Sequence, residues 1–291
     1  MDFAGKRKIW FFISLLVIVP GLISLVLQGL NFGIDFAGGN LYQLAFQKEV
    51  TQEKLRESLA INNLADSQVQ PSENNVFIVK TKILDQELEQ QVLKTLEKEL
   101  GSFEILRNEQ VGPSIGSELR RNAVISLSIA IVLMILYITI RFEFKFAMAA
   151  ITALLHDVLI TMGIFSIFQI EVNSVFIAAI LTILGYSINA TIVIFDRIRE
   201  NLTKTKKEAI EIVVNNSITQ TLARSINTTL TVLFVLVPLY FLGGETTANF
   251  TLALIIGVTS GAYSSILIAS PLWLELKKFS KKNKNIKANA Y

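Results

Sequence analysis

The residues with the most chemistry in this sequence lie where chemistry is costly, inside long apolar segments. His156, the single histidine of the chain, stands next to Asp157 in the stretch 146–168. On helical spacing Thr152 shares a face with His156, and Thr161 shares the next face with Asp157. In the stretch 173–195, Thr182, Tyr186 and Asn189 follow at steps of four and three residues and form one polar stripe. Gly185 beside them offers room for a neighbouring helix. In the stretch 221–242, Arg224 begins a second stripe, continued by Asn227, Thr228 and Thr231. Ionisable groups in spanning helices are expensive, usually face protein or water, and mark proton or ion paths. The stripes therefore predict a polar seam among the third, fourth and fifth apolar segments.

A packing role competes at each position. His156 could be a hydrogen-bonded packing residue, and Arg224 could simply extend its guanidinium to the interface. The stripe above Arg224 argues for function, because an arginine reaching for water needs no hydrogen-bonding neighbours toward the bilayer centre. Asp196 and Arg197, where the fourth segment ends, read as charges pairing at a helix end. Other chemistries find no support. The sequence has no P-loop, no HExxH and no nucleophile elbow. Gly38-Gly39 is too short for a dinucleotide fingerprint. With no cysteine there is no disulfide or thiolate metal site. The expectation is a transport protein rather than an enzyme, with no cofactor, metal or nucleic acid.

The elements that must position these residues are membrane helices. Of 291 residues, 52% are hydrophobic and 18% charged, where soluble domains usually have about 45–50% and about 25%. A bilayer core of ~30 Å takes about 20 apolar residues as helix. Six segments qualify: 9–28, 122–140, 146–168, 173–195, 221–242 and 249–272. None alternates with period two as barrel strands do. The first follows Lys6-Arg7-Lys8 and reads as an uncleaved anchor, being too long for a signal-peptide core and lacking a small-residue cleavage site.

Residues 29–120 look like an ordinary soluble domain inserted after the first helix. Strands are expected at 41–46, 67–70, 75–81 and 103–107. Helices are expected at 51–60, capped by Thr51, and at 85–100, capped by Asp85 and closed by Gly101. The order βαββαβ predicts a ferredoxin-like domain. Gly38-Gly39 at its entrance and Gly112-Pro113 at its exit read as turn and breaker, and as hinges if the domain moves. The fold class is thus a six-helix polytopic membrane protein with an inserted α+β domain. It divides as 1–28, 29–120, 121–272 and a basic tail 273–291. A loop at 196–217 holds an amphipathic helix expected to lie on the membrane face.

The short loops agree on orientation. Lys6 to Lys8, Arg141, Lys145, Arg197, Arg199, Lys204, Lys206, Lys207 and the tail share one side, while loops 169–172 and 243–248 have no Lys or Arg. That side is the cytoplasm by the positive-inside rule, with both termini on it and 29–120 outside.

Four segments resemble one family. They are Gly33-Ile34-Asp35-Phe36-Ala37-Gly38-Gly39, Val111-Gly112-Pro113-Ser114-Ile115-Gly116-Ser117-Glu118-Leu119, Leu155-His156-Asp157-Val158, and Gly185-Tyr186-Ser187-Ile188-Asn189 running on to Phe195-Asp196-Arg197-Ile198-Arg199-Glu200-Asn201. The chain resembles the SecF branch of the SecDF protein-export family, within the resistance-nodulation-division superfamily, over nearly its whole length. The resemblance implies a subunit driven by the proton motive force. It would act with SecD and the SecYEG channel on unfolded preproteins, with YajC and YidC as further partners. A bacterial plasma (inner) membrane is the default location, and a thylakoid or plastid membrane the alternative.

One position departs from the pattern. The family reads S-I-N-D-T where this sequence has Ser187-Ile188-Asn189-Ala190-Thr191. The acid that the resemblance would place in the proton path is missing, while the family's intramembrane arginine is matched by Arg224. The titrating acid is then Asp157 or a carboxylate on SecD, or the subunit is a structural half without its own coupling, or the alanine was introduced. Two other functions stay in view: a scaffold that only positions SecD or the channel, and half of a small-molecule or lipid exporter of the same superfamily.

Overall fold

The protein is described by a computed structural model covering residues 2–72, 74–205 and 208–288, with backbone alone at 245, 246 and 280–288. In chain order the elements are α1 (Arg7–Leu27), β1 (Asn31–Phe32), α2 (Ile34–Ala37), β2 (Gly39–Phe46), α3 (Gln52–Ala60), β3 (Gln68–Pro71), β4 (Val76–Thr81), α4 (Gln86–Leu100), β5 (Phe103–Val111) and α5 (Pro113–Arg141). Then come α6 (Phe144–Ile167), β6 (Glu171–Val172), α7 (Ser174–Lys204), α8 (Ile210–Leu242) and α9 (Glu245–Ser264). A π-helical turn at Ser265–Ala269 joins α9 to α10 (Ser270–Ala288). Contacts divide the chain into two units, Met1–Asn31 with Ile125–Tyr291, and Phe32–Val124.

In the first unit, six helices among the described residues are long and apolar enough to cross a membrane: α1, α5, α6, α7, α8 and the run Thr247–Phe279. These are the six spans expected from the apolar segments. Helix α6 is the most enclosed of the first five and presents buried residues to α1, α7 and α9. It meets α1 where Gly21 and Gly163 touch: a Cβ on either would lie 2.8 Å from the other's Cα. Only glycine permits that approach, and with no hydrophobic drive between helices in lipid, close van der Waals contact is what holds them. Near the other end of α6 the packing is aromatic. Phe146 stacks on Trp273 with centroids 4.5 Å apart, and Phe195 lies 4.8 Å from Phe146. The segment before α1 docks beside this cluster. Phe3 and Ala4 are buried, and their amides donate to Asn215 Oδ1 at 2.9 and 2.8 Å. Asp2 accepts from the Gly5 amide and from Asn215 Nδ2, and these bonds hold its carboxyl below the ordinary value.

The amphipathic helix expected within 196–217 is not a separate surface element. Residues up to Lys204 continue α7, and those from Ile210 on begin α8, with 206 and 207 outside the described residues. The apolar positions Val213 and Val214 are buried, Val214 in the cluster that contains Phe3, Ala4 and Trp273. Their partner is therefore protein rather than the membrane surface.

The second unit has the order β2-α3-β3-β4-α4-β5, with an antiparallel sheet ordered β3-β4-β2-β5. Alternation along β2 puts Tyr42, Leu44 and Phe46 on the face that packs with Leu55, Leu59, Val92 and Leu96 of the helices. Thr51 and Asp85 cap their helices by accepting from the amides of Lys54 and Leu88. Strand β5 runs to Val111 rather than ending at 107. Its continuation reads polar because an edge strand with both faces exposed needs no apolar alternation, and the ladder with Gly39 to Leu41 holds it. The register slips between Gln43 and Leu44, which leaves Leu106 as the extra residue. At the entrance, Gly38 has φ +80 and Gly39 φ +152, and a Cβ at Gly39 would lie 2.4 Å from the Thr81 carbonyl oxygen. Tyr42 is buried and accepts from Asn40 Nδ2 at 3.0 Å; burial, with Glu89 nearby, pushes its hydroxyl well above the usual tyrosine range.

Candidate functional site

Asp157 has no solvent exposure at all, and His156 beside it is buried. Four groups converge on the carboxylate. His156 Nδ1 lies 2.9 Å and Ser260 Oγ 2.7 Å from Oδ1, while Ser187 Oγ lies 2.6 Å and Ser264 Oγ 2.7 Å from Oδ2. The serines come from α7 and α9, so the carboxylate ties three helices together. Backbone geometry makes this possible. Helical spacing puts Ser260 and Ser264 one turn apart on one face of α9, and Gly261 between them lets α9 approach Ser187, where a Cβ would lie 3.0 Å from the serine Cβ.

The network continues through the imidazole. His156 Nε2 lies 2.9 Å from Ser14 Oγ of α1, and Ser14 lies 3.3 Å from the Tyr263 hydroxyl. Tyr263 donates to the Trp10 carbonyl at 2.8 Å and stacks its ring on His156, with centroids 5.9 Å apart. A continuous hydrogen-bonded path therefore joins Asp157 to the backbone of α1. A cleft of about 450 Å³ with walls such as Ile160 and Ile255 lies against Ser14, Ser260 and Tyr263. Such surroundings strengthen hydrogen bonds and raise the cost of leaving one unmade.

The chemistry is that of a carboxylate whose acceptor positions are filled. An ionised carboxylate accepts only; once protonated it must itself donate and loses acceptor capacity. A carboxyl that donates would turn one of these contacts round, with a serine hydroxyl accepting from it.

The structure does not bring the other sequence-named residues into this centre. Asn189, Arg224, Asn227 and Thr228 are exposed, so the single seam expected among the third, fourth and fifth spans is not formed within the chain. The physical reason is helix rotation: Asp157 faces α7 and α9 and His156 faces α1, while the stripes of Asn189 on α7 and Arg224 on α8 point out of the bundle. Hydroxyls on those faces bond their own helices, as Thr228 does to the Arg224 carbonyl at 2.9 Å and Thr182 to that of Ala178 at 2.8 Å. Thr152 likewise bonds its own helix, at Met148, and Thr161 bonds the Asp157 carbonyl. Among the described residues the Arg224 guanidinium has neither a hydrogen bond nor an ion pair. The Tyr186 hydroxyl is buried and has no partner among the described residues. Gly185 is exposed and has nothing within 4 Å of its Cβ position, so among the described residues no helix uses the room it leaves. Ala190 is half-buried on the same helix.

Asp196 pairs with Arg199 at 2.9 Å and with Arg141 at 3.5 Å, and Arg197 with Glu200 at 2.9 Å. These are contacts at a helix end. Asp35 lies in α2, and Gly112-Pro113 open α5. The residues that sequence reasoning missed are Ser14, Ser187, Ser260, Tyr263 and Ser264. The small residues Gly257, Ser260, Gly261 and Ser264 at steps of three and four carried the signal, since such spacing marks a helix face that approaches another closely.

A multi-pass helical membrane protein with an inserted α+β unit and a carboxylate enclosed between its spanning helices is the class that fold and site define. The chain belongs to the SecD/SecF family of protein-export membrane proteins. The family described as "Protein export membrane protein SecD/SecF, C-terminal" matches residues 91–279, and the "SecD/SecF GG Motif" matches 23–50. The chain is 43% identical to the protein translocase subunit SecF of Sebaldella termitidis over 97% of its own length and 93% of that protein. It is 41% identical to that of Calditerrivibrio nitroreducens over 97% and 96%. Among solved structures it resembles the crystal structure of SecDF, a translocon-associated membrane protein, from Thermus thermophilus, with 37% identity and a TM-score of 0.87. A SecDF crystal structure in a super-membrane-facing form gives 36% identity and a TM-score of 0.76. The chain spans nearly all of the SecF relatives but only 39% and 40% of those SecDF chains.

Proposed function

We propose that this chain is a proton-driven subunit of the Sec export machinery, working with SecD and the SecYEG channel on the late translocation of unfolded preproteins. The observation that carries the reading is the Asp157 centre, a fully buried carboxylate bonded to His156 and three serines from two other helices. Asp157 is the group that takes up and releases the proton, in place of the acid missing at 190. One charge crossing 100 mV supplies about 2.3 kcal/mol, enough to bias a two-state motion of the outer domain. Gly38, Gly39, Gly112 and Pro113 are the hinges of that motion. The unpartnered face of Asn189, Arg224 and Asn227 is the surface that SecD covers, since a guanidinium on a spanning helix needs protein or water beside it. The loop charges support an orientation with both termini in the cytoplasm, and a bacterial plasma membrane is the location that the family resemblance favours.

A second reading is favoured by Ala190: a structural subunit whose proton path belongs to SecD. Reconstitution with SecD and SecYEG in vesicles separates the two. The coupled reading expects a proton gradient to speed release of an exported reporter, and Asp157→Asn and Arg224→Ala each to abolish that gain while assembly persists. If Asp157→Asn keeps the full gain, or the gain appears only after Ala190→Asp, the scaffold reading holds.

A further inference from the structure

The run from α9 into α10 is interrupted at one place. Ser265–Ala269 forms a π-helical turn, which begins at the residue after Ser264, one of the donors to Asp157. Such turns are rare, put one extra residue into a helix, and gather at functional sites. Here the turn has its own supports. Ser270 Oγ donates to the Ser265 carbonyl five residues back at 3.3 Å, and Ser265 Oγ donates to Ala262 at 3.1 Å. Ser264 stands between two acceptors, 2.7 Å from Asp157 Oδ2 and 3.3 Å from the Gly261 carbonyl of its own helix.

We propose that the charge of Asp157, acting through Ser260 and Ser264, holds the π turn in register. This rests on the reading of Asp157 as the titrating acid. With the carboxylate ionised, both hydroxyls are drawn off their own helix toward Oδ1 and Oδ2. When hydronium gives its proton to Oδ2, one O–H bond breaks in the hydronium and one forms on the carboxyl, water leaves, and the negative charge is cancelled. The carboxyl then donates from Oδ2 to Ser187 Oγ, the other hydroxyl on that oxygen. Ser264 turns to the Gly261 carbonyl already within reach, and Ser260 to the carbonyl one turn back, as serines inside helices readily do. The last turn of α9 is thereby released from α6, and the π turn relaxes toward α-helical bonding.

One residue of helix is about 100° of rotation, so the relaxation turns α10 relative to α9. Helix α10 carries Trp273 against Phe146, Glu275 paired with Arg7, and Lys278 paired with Glu211. A proton at the centre is in this way read out at the other end of the bundle. The titratable groups bonded into the network are Asp157 and His156 of α6 and Tyr263 of α9. Helix α1 presents Ser14 and α7 presents Ser187, and among the described residues no Lys or Arg bonds to it. Ser260 and Ser264 are positioning residues, since they act through the carboxyl.

The test uses the full chain in lipid nanodiscs across a pH series, with two readouts on each sample. Infrared absorption of the carboxyl C=O reports protonation of Asp157, assigned by its loss in Asp157→Asn. Amide hydrogen exchange of 265–270 reports the π turn. The expected result is an exchange change of about tenfold that follows the carboxyl band in the natural sequence and is absent in Asp157→Asn. In the double variant Ser260→Ala, Ser264→Ala the carboxyl should still titrate while exchange no longer follows, and Ser264→Thr should restore part of the response. If the band titrates and exchange at 265–270 stays constant, or still follows it in the double variant, the inference is overturned and the proton reading stands. If no Asp157 band titrates, both fall.

Discussion

Asp157 and Arg224 both carry ionisable groups on membrane-spanning helices, and the chain treats them in opposite ways. The carboxyl of Asp157 is enclosed by four polar contacts from three helices. Arg224 lies on an exposed face with no partner among the described residues, beside threonines that bond their own backbone. The first site is finished by this chain alone; the second is a half that another surface must finish. The difference teaches that a polar stripe in a membrane helix marks a place that needs a partner without saying whose. A centre such as Asp157 fixes the internal fold of the bundle, and a face such as that of Arg224 fixes what the bundle joins.

That contrast can be broken by mutation. The largest effect belongs to Asp157→Ala, which leaves buried donors on three helices without their acceptor. Removing one member of a buried charged network costs about 3–5 kcal/mol, and unfolding in detergent should show a loss of that size. A small loss would mean that the centre does not hold the bundle. Gly163→Leu comes next, because its Cβ would lie 2.8 Å from the Gly21 backbone. Overpacking of this kind costs about 1–3 kcal/mol, and cross-linking between α1 and α6 should fall with it. Ser187→Ala removes one donor of four and should cost about 1–2 kcal/mol, with the helices still assembled. The smallest effect belongs to Arg224→Ala. In the isolated chain it should change stability by no more than ~0.5 kcal/mol, since nothing in the chain pairs with it. Together with SecD, the same substitution should abolish the gradient-driven gain in release while the two subunits still co-purify. A large loss in the isolated chain would erase the contrast.

Much of the fold could be read in the sequence because it rests on length and period. Six apolar stretches of spanning length become the six spanning helices. Thr51 and Asp85 cap as their positions imply, since the capping bond is local. What escaped reading depends on contacts between distant segments. Asp157 was legible as a charge in an apolar stretch, but its serines are common in membrane helices, and only the crossing of α6, α7 and α9 turns them into a cage. The stripe of Thr182, Tyr186 and Asn189 was legible as a stripe. Periodicity defines a face and leaves open what it faces, which is why the expected seam with Asp157 is absent. The apolar positions near Val214 show the same limit: an amphipathic pattern fits a membrane surface and a protein groove equally, and here the groove holds Phe3 and Ala4.

The docking of Phe3 and Ala4 onto Asn215 also constrains the order in which the protein is assembled. The two bonds join residues 212 and 211 positions apart. Between them come the inserted α+β unit and the helices α5, α6 and α7, so Phe3 and Ala4 wait for the start of α8 before their amides are satisfied. The contact contributes nothing to the early chain, and loop closure over such a distance gains only from structure already in place. It works as a latch that closes once the start of α8 is in place, and protection of the Phe3 and Ala4 amides is a marker of that step.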